Sequence, residues 1–329
     1  MTVALITGIT GQDGSYLLEQ LLAEGTEVHG MVRVGDELLP EVRSTLPRIE
    51  LHFGDLADGD RLASLINEVA PNEVYNLGGI SSVELSWREP AKTGTVSGVA
   101  VVHLLDAAWK LQESLSRPVK FVQASSAEIF GRPVKAPQDE LSPVAPTNPY
   151  GVAKAYAHHM VGVYRDRGLA VSSCILFNHE SPRRPPTFVT RKITQAVARI
   201  AQDGTGKITL GNLEVRRDWG WAPDYVDALV RAARSAVGAD YVIATGRVHS
   251  VAEFAAAALA RVGITDWQQW VETDPKFVRT VDAMELVGDS SKAKRQLGWE
   301  PTVEFTELVG AMVDHDLKLL SVQKYDIEA

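Results

Sequence analysis

Tyr150 and Lys154 lie four positions apart in a segment whose pattern predicts a helix, so both side chains belong to one helix face. A nearby ammonium, together with an oxidised nicotinamide, favours the phenolate form of a tyrosine and lowers its pKa. Such a tyrosine can act as a general base on a hydroxyl group while hydride moves to the nicotinamide. Tyrosine and lysine also occur at this spacing by chance, so the prediction depends on the residues expected beside them.

Ser126 and Glu128 are the second pair of candidate catalytic residues. They follow a predicted strand over residues 119–124, and strand ends at the carboxyl edge of a parallel sheet line the ligand crevice. There the Ser126 hydroxyl can share a hydrogen bond with a reacting oxygen. Alcohol oxidation needs no carboxylate, so Glu128 indicates a second proton transfer, such as removal of a proton that a neighbouring ketone has made acidic. The alternative for Glu128 is a local cap or salt bridge.

A glycine-rich turn between the first predicted strand and the first predicted helix is typical of a dinucleotide-binding site. Glycines at positions 8, 11 and 14 permit a tight turn, a close approach of a pyrophosphate and close helix–strand packing. The helix N-terminus then offers free N–H groups and a partial positive charge to the phosphates. The alternative is a plain loop with three glycines. The residues expected to bind the cofactor here are Gly8, Thr10, Gly11, Gln12, Asp13 and Gly14.

The residue after the second predicted strand indicates which dinucleotide binds. A carboxylate there favours NAD, whereas a cation favours the 2′-phosphate of NADP. The residue is Arg33, so NADP is predicted as the cofactor. Because Asp36 follows closely, NAD remains the alternative cofactor, and the alternative for Arg33 is a solvated surface residue. Asp55 follows the third predicted strand, where its carboxylate can accept a hydrogen bond from the adenine amino group.

The composition is that of an ordinary globular protein. The 329 residues are 45% hydrophobic and 23% charged, with a formal net charge of −9. Nonspecific binding to DNA or RNA needs a positive field, so nucleic acid is not an expected partner. No apolar run has membrane-spanning length, no signal-peptide pattern is recognised and no metal site is predicted. The single cysteine, Cys174, lies in a predicted buried strand and fits a cytoplasmic protein.

Strand and helix patterns alternate through the first half of the chain, for example strand 27–32, strand 50–53 and helix 61–69. This alternation predicts an α/β fold, a doubly wound parallel Rossmann sheet with a smaller C-terminal substrate-binding lobe. Residues 178–188 are rich in charge, proline and turn formers and are predicted to form a loop. The expected division is a dinucleotide-binding domain over 1–178, with 220–247 returning to it, and a mainly substrate-binding lobe over 179–329.

These motifs together resemble the extended short-chain dehydrogenase/reductase (NAD-dependent epimerase/dehydratase) family and, within it, the GDP-mannose 4,6-dehydratases. The similarity runs along nearly the whole chain and is most specific over residues 176–192. The other matching stretches are the glycine turn and residues 54–56, 74–78, 123–131, 150–154, 217–220 and 279–289.

The resemblance implies a reaction on a GDP-linked hexose, with the family's homodimer or homotetramer as the assembly. Tyr150, supported by Ser126 and Lys154, would oxidise C4 with NADP. Glu128 would remove the C5 proton, water would leave from C6 and the hydride would return to C6. The further cofactor-binding residues implied are Leu56, Leu77, Gly78, Gly79, Ser81, Tyr150, Lys154, His179 and Arg184. The substrate-binding residues implied are Ser126, Glu128, Asn178, Val189, Lys192, Arg217 and Arg279.

One departure from the family leaves an epimerase as the alternative function, and a second bears on the NADP preference and the tetramer. Ser126 and Ala127 stand where the family usually has threonine and serine, so this stretch is more similar to the sugar-nucleotide 4-epimerases. The loop after Arg33 is also shorter than in the family. The second hypothesis is therefore an NAD(P)-dependent epimerase that forms a transient 4-keto intermediate. A binding protein without activity is disfavoured by the intact candidate residues, and Arg183 and Arg191 are interpreted as surface cations.

Overall fold

The computed structural model describes residues 1–277 and 283–328, and for the last helix it describes side chains only as far as Ser321. The substrate-binding role expected of Arg279 falls outside these residues. The strands are β1 Val3–Thr7, β2 Glu27–Val32, β3 Ile49–Phe53, β4 Glu73–Asn76, β5 Lys120–Ser126, β6 Val171–Leu176, β7 Asn178–Glu180, β8 Ile208–Leu210, β9 Arg216–Arg217, β10 Trp219–Trp221, β11 Asp240–Ile243, β12 His249–Ser250, β13 Val271–Thr273 and β14 Glu285–Leu286.

Helices alternate with the strands of the first half and dominate the C-terminal part. The helices are α1 Gln12–Ala23, α2 Pro40–Thr45, α3 Gly59–Val69, α4 Val83–Arg88, α5 Pro90–Gly94, α6 Ala100–Leu115, α7 Pro149–Asp166, α8 Val189–Asp203, α9 Ala222–Arg234, α10 Val251–Arg261, α11 Ser291–Leu297 and α12 Phe305–Glu328. Short 3₁₀ or π turns cover Leu46–Arg48, Thr95–Val99, Ala127–Phe130, Trp267–Gln269 and Pro275–Phe277.

Seven parallel strands form the central sheet, in the order β3-β2-β1-β4-β5-β6-β11. The strand order reverses between β1 and β4, and ligands bind at such a reversal, outside the carboxyl ends of the strands. The predicted doubly wound α/β fold is therefore confirmed. The strand β11 is the seventh strand of the sheet, beside β6. The proposed boundary between the two domains stays a prediction.

The sheet is buried on both faces, which is why its strands read as continuous apolar runs. Along β1, Ile6 packs into the cluster that lies against α1 and α9, whereas Leu5 packs into the cluster on the opposite face with α3 and α6. Both residues are fully buried. Burying each such side chain stabilises the fold by about 1.5–3 kcal/mol relative to leaving it exposed.

The C-terminal part has its own core, built mainly from α8, α10 and α12. Trp219 of β10 contacts Phe254 of α10 edge to face, with ring centroids 5.2 Å apart. Three small sheets lie outside the central one, of which β7–β10 carries residues of the candidate site. This smaller C-terminal unit agrees with the predicted architecture.

Two expectations for residues 178–192 are wrong in detail. The predicted loop begins with the strand β7, which pairs in parallel with β10, and local composition cannot reveal pairing to a strand about forty residues away. Arg191 is not a surface cation, because it is buried and its Nη1 donates to Asp316 Oδ1 at 2.7 Å.

Cys174 is a buried free cysteine of β6, as predicted, and burial raises the pKa of its thiol. Within residues 1–277 and 283–328, no helix is both long enough and apolar enough to cross a membrane. The cytoplasmic location stays a prediction.

Candidate active site

The glycine turn brings β1, α1 and the loop after β4 into close contact. Gly8 has a φ of +75°, and a Cβ there would lie 2.7 Å from the backbone nitrogen of Gly78. A Cβ on Gly14 would lie 2.2 Å from the carbonyl oxygen of Gly8. Both glycines are therefore required by the packing. Because α1 begins at Gln12 and Gly11 has no side chain to cap it, the first N–H groups of the helix are open to an anion.

A hydrogen-bonded chain of polar side chains, not anticipated from the sequence, holds the carboxyl ends of β1 and β4 to the middle of β5. Thr7 Oγ1 donates to Asn76 Oδ1 at 2.5 Å and accepts from the N–H of Gly78 at 3.1 Å. Asn76 Nδ2 donates to Gln123 Oε1 at 2.7 Å. These bonds fix the loop after β4, where Leu77 and Gly78 are half-buried.

Tyr150 and Lys154 both lie buried in the first turns of α7, on the face directed at β5. Lys154 Nζ donates to the carbonyl oxygen of Ala124 at 2.7 Å and lies 5.9 Å from the centroid of the Tyr150 ring. Burial lowers the pKa of Lys154 to about 8. Burial also raises the pKa of Tyr150 to about 12, with the hydrogen bond from Ser126 opposing it. Lys154 alone therefore does not produce the low tyrosine pKa that the spacing suggested.

Glu128 lies beside this pair and is oriented by Asn148, the residue that caps α7. Asn148 Nδ2 donates to Glu128 Oε2 at 2.7 Å, while its Oδ1 accepts from the N–H of Gly151 at 2.8 Å. A Cβ on Gly151 would lie 2.5 Å from the Glu128 carbonyl oxygen, so glycine permits this close approach. The Ser126 hydroxyl caps the turn that carries Glu128, accepting from its N–H at 3.3 Å.

Replacing Asn148 with aspartate separates its two roles. Aspartate caps a helix as well as asparagine does, so the variant should keep its fold, which circular dichroism can check. The new carboxylate next to Glu128 replaces a hydrogen-bond donor with a like charge, so we expect kcat near neutral pH to fall about 10- to 100-fold, with the acidic limb of its pH profile displaced upward. The matched control is Ser82→Ala, which removes the cap of α4 and should change stability only. An unchanged pH profile in Asn148→Asp would exclude the positioning role.

His179 and Asp13 form a buried ion pair between β7 and the glycine turn. His179 Nδ1 donates to the Phe177 carbonyl oxygen at 2.7 Å, and Nε2 donates to Asp13 Oδ2 at 2.9 Å. Both ring nitrogens donate, so the imidazole carries a positive charge. Burial lowers the pKa of His179, but the Asp13 carboxylate outweighs it and holds the pKa above its ordinary value. Although burial opposes it, His179 holds the pKa of Asp13 below its ordinary value.

Gln12 connects the same two segments. Its Nε2 donates to the carbonyl oxygen of His179 at 3.2 Å, and its Oε1 accepts from the Ser181 hydroxyl at 2.8 Å. Asp13 is close enough for its charge to act on both Tyr150 and Lys154. The structure thus brings the glycine turn, β7 and the start of α7 into one site.

Arg184 is held at this site by a carboxylate and an aromatic ring. Its Nε lies 3.2 Å from Glu180 Oε2, and its guanidinium carbon lies 3.8 Å from the centroid of the Phe188 ring. Glu180 is buried and also accepts from Thr190 Oγ1 at 2.6 Å. The charge of Arg184 acts on Tyr150, which places it near the catalytic candidates.

The remaining substrate-binding candidates lie along β7, α8 and β9. Asn178 is half-buried at the start of β7, and Val189 is the exposed first residue of α8. Lys192 is exposed, with its Nζ 5.5 Å from the Phe277 ring centroid. Arg217 is buried in β9 and donates to backbone carbonyl oxygens, including that of Ala283 at 2.9 Å.

The residues expected around the adenosine part of the cofactor are mostly more exposed than Tyr150 and Lys154. Asp55 is exposed and accepts from the N–H of Ala57 at 2.8 Å, whereas Leu56 is buried. Gly79 and Ser81 are exposed, in the loop that follows β4. Thr10 is half-buried within the glycine turn. Their contacts with a cofactor stay predictions.

Arg33 is exposed and paired with its neighbour Asp36. Its Nη2 and Nε donate to Asp36 Oδ1 at 2.8 and 3.1 Å, and its backbone N–H donates to Oδ2 at 3.0 Å. The guanidinium therefore already has a carboxylate partner. A 2′-phosphate would have to share or replace that partner.

Comparisons with known proteins show the family to which the chain belongs. A family model described as GDP-mannose 4,6 dehydratase matches residues 5–312. The chain is 43% identical to the GDP-mannose 4,6 dehydratase of Homo sapiens, over 97% of this chain and 92% of that protein. It is 42% identical to GDP-mannose 4,6 dehydratase 2 of Arabidopsis thaliana, over 99% of this chain and 90% of that protein. A UDP-glucose 4-epimerase of Thermus thermophilus in complex with NAD has a similar structure, with a TM-score of 0.83 and 26% identity. The match covers 96% of this chain and 99% of that one.

The family match and the doubly wound sheet, with the glycine turn at its strand reversal, define an enzyme of the extended short-chain dehydrogenase/reductase class, whose members use a nicotinamide dinucleotide. Within that class, the chain belongs to the GDP-mannose 4,6-dehydratase family. The resemblance noted in the sequence is confirmed.

Proposed function

We propose that this chain is a lyase that converts GDP-mannose to GDP-4-keto-6-deoxy-mannose. Full-length membership in the dehydratase family supports the substrate and the reaction. The single structural observation that carries the mechanism is the Glu128 carboxylate, held by Asn148 next to the buried Tyr150. A simple alcohol dehydrogenase has no use for that second proton acceptor.

In the first half of the reaction, Tyr150 removes the proton of the C4 hydroxyl as hydride leaves C4. Ser126 shares a hydrogen bond with the same oxygen, and the Lys154 ammonium supports the phenolate of Tyr150. A bound nicotinamide supplies the hydride acceptor in this half and the hydride donor in the second half. In the protein alone, the hydrogen bond from Ser126 and the charge of Arg184 oppose the effect of burial on the Tyr150 pKa, and the positive charge of an oxidised nicotinamide would act in the same direction.

In the second half, Glu128 removes the C5 proton, which the C4 ketone has made acidic. Hydroxide leaves C6 and takes up a proton as water, so a C5–C6 double bond forms. Hydride addition at C6 and proton return to C5 complete the reaction, and the net change is loss of one water. Residues 178 and 189 and the cations Lys192 and Arg217 are proposed to bind the nucleotide diphosphate, for which Arg and Lys are suited.

Product analysis in deuterated water separates a dehydratase from an epimerase. With GDP-mannose, we expect a 4-keto product that lacks one water and carries deuterium at C5. An epimerase of the type suggested by Ser126-Ala127 would return an intact hexose with an inverted C4 and no deuterium at C5. Turnover of UDP-glucose with none of GDP-mannose would overturn the proposal.

NADP is proposed as the cofactor, with Arg33 at its 2′-phosphate. Loss of the charge-assisted hydrogen bonds in Arg33→Ala should weaken NADP binding by about 10- to 100-fold and leave NAD binding unchanged. Asp36→Asn should strengthen NADP binding, because Asp36 now competes for the same guanidinium. Both affinities can be measured by calorimetry. Equal weakening of NADP and NAD in Arg33→Ala would contradict this assignment.

A homodimer is proposed, as the family resemblance implied, through the apolar surface formed by α4, α5 and α7. Trp87, Val152 and Tyr156 are each about half exposed on this surface, at 55%, 54% and 46%. A groove of about 770 Å³ runs between them. Large apolar side chains that lie exposed next to one another are typical of a protein–protein interface rather than of a free surface.

Val152→Asp tests the dimer. A carboxylate placed in the interface should shift the molar mass measured by light scattering from that of a dimer to the monomer at micromolar concentration. The control is Leu141→Asp, because Leu141 is 91% exposed and lies outside this surface. A monomeric wild type, or a Val152→Asp variant that remains dimeric, would exclude this interface.

A further inference from the structure

Two histidines and a glutamate meet at the outer edge of the central sheet, in a cluster that the proposed reaction does not use. His29 lies in β2, and Glu50 and His52 lie in β3. Their ligand atoms all lie within 4.8 Å of one another. His29 Nδ1 is 2.9 Å from His52 Nε2. The Glu50 carboxylate oxygens lie 3.7 Å from His29 Nδ1 and 3.8 Å from His52 Nε2.

Strand pairing fixes this arrangement before any ligand binds. His29 is directly opposite Glu50, and Met31 is directly opposite His52. Alternate residues of a strand share a face, so the three side chains project from the same side of the sheet. The two histidine side chains are only 10% and 13% exposed, whereas that of Glu50 is 66% exposed. The cluster therefore combines two rigid imidazoles with a carboxylate that solvent can reach.

The donor set and its spacing suit a divalent cation of the zinc class. Two imidazole nitrogens and one carboxylate are a known zinc-binding set, with water as the fourth ligand. Zinc–nitrogen bonds of about 2.0–2.1 Å place tetrahedral donors roughly 3.3 Å apart. The separations of 2.9, 3.7 and 3.8 Å lie on both sides of that value. A shift of the exposed Glu50 side chain would shorten the two longer separations, and the two imidazoles would have to move apart by a few tenths of an ångström.

Glu27 orients His29 in the way that metal-bound histidines are usually oriented. Its Oε1 lies 3.1 Å from His29 Nε2, the ring nitrogen directed away from the cluster. A carboxylate there keeps the proton on Nε2 and leaves the lone pair of Nδ1 for a ligand. The proton that His52 Nε2 donates to His29 Nδ1 would move to His52 Nδ1 when a cation takes its place, so His52 stays a neutral imidazole. Glu27 and Glu50 supply the negative charge that favours a cation.

We propose that His29, Glu50 and His52 bind one zinc-class cation that ties the edge strand β3 to β2. The site is separate from the catalytic residues, because β1 and β4 lie between β2 and β5 in the sheet. Its ligands join β2 to β3, the strands that lead into Arg33 and Asp55. No metal site is predicted here from the sequence, because the ligands come from two strands and match no metal-binding spacing.

Zinc titration of the tag-free protein, first treated with chelator and dialysed, tests the proposal. Calorimetry should give one zinc per chain, and the melting temperature should rise when zinc is added. Cobalt(II), used as a spectroscopic probe, should show the intense visible absorption of a tetrahedral site. His29→Asn and His52→Asn should each weaken zinc binding by at least about 100-fold, and Glu27→Gln by about 10- to 100-fold.

His249→Asn is the matched control. His249 also lies near a glutamate, with its Nδ1 3.4 Å from Glu253 Oε2, but this pair includes no second histidine. It should leave zinc affinity unchanged. Circular dichroism establishes which variants are folded. Any histidine variant that does not fold is replaced by Glu50→Gln, which changes an exposed side chain. Absence of stoichiometric zinc binding in the wild type would overturn the proposal. Equal zinc affinity in wild type and the folded cluster variants would also overturn it.

Discussion

Replacing Tyr150 with phenylalanine should lower kcat by about 10³-fold, within the range of 10² to 10⁴ that general acid–base groups contribute. The substitution removes the proton acceptor for the C4 hydroxyl and keeps the aromatic ring that fills the buried start of α7. The KM for GDP-mannose should therefore change much less than kcat. Steady-state kinetics, together with calorimetric substrate binding, separate the two effects.

Tyr164→Phe is the matched control for this substitution. Tyr164 lies on the same helix, and its hydroxyl donates to Asp106 Oδ1 at 3.1 Å, away from the site. We expect near-normal kcat in this variant. A Tyr150→Phe enzyme with kcat within a few-fold of the wild type would contradict the assigned role of the hydroxyl.

Replacing Glu128 with glutamine should stop the reaction after C4 oxidation. The amide can still accept or donate hydrogen bonds near Asn148, but it cannot take up the C5 proton. Overall dehydration should fall by about 10²- to 10⁴-fold, while hydride transfer from C4 continues. Reduced cofactor should then accumulate in the enzyme and be visible by its absorbance. Exchange of the C5 proton with deuterated water should be lost.

Glu84→Gln is a suitable control for Glu128→Gln, because Glu84 is an exposed residue of α4 whose partner is Arg88. It should retain both dehydration and C5 exchange. A Glu128→Gln enzyme that still exchanges the C5 proton at the wild-type rate would show that another group is the base. Equal loss of C4 oxidation and dehydration would instead point to a structural defect.

Local sequence patterns were enough to predict the sheet that carries the site. The strand Glu27–Val32 and the helix near Tyr150 were predicted within a residue or two, because apolar runs, glycine turns and Asn-Pro entries act locally. The pairing of β7 with β10 was not predicted, since it joins segments whose local composition favours a loop. The prediction that Arg191 is a surface cation is wrong for a similar reason. Its partner, Asp316, lies 125 residues further along the chain.

The candidate site shows the same division between local and long-range information. The residue types and spacing indicated Tyr150 and Lys154. The Asn148–Glu128 hydrogen bond and the His179–Asp13 ion pair depend on three-dimensional contact and had no counterpart in the sequence pattern. Burial was the least predictable factor, since it raises the Tyr150 pKa even though the hydrogen bond from Ser126 and the charge of Arg184 act to lower it. A sequence shows which groups can react, whereas their environment decides their protonation.

The central claim is that hydride taken from C4 is returned to C6 of the same sugar within one turnover. GDP-mannose labelled with deuterium at C4 tests it most directly, with the product examined by mass spectrometry and NMR. We expect the label in the C6 methyl group of a 4-keto product, with no net change in the oxidation state of the cofactor. Label retained at C4 of a hexose, or lost to free reduced cofactor, would contradict the account.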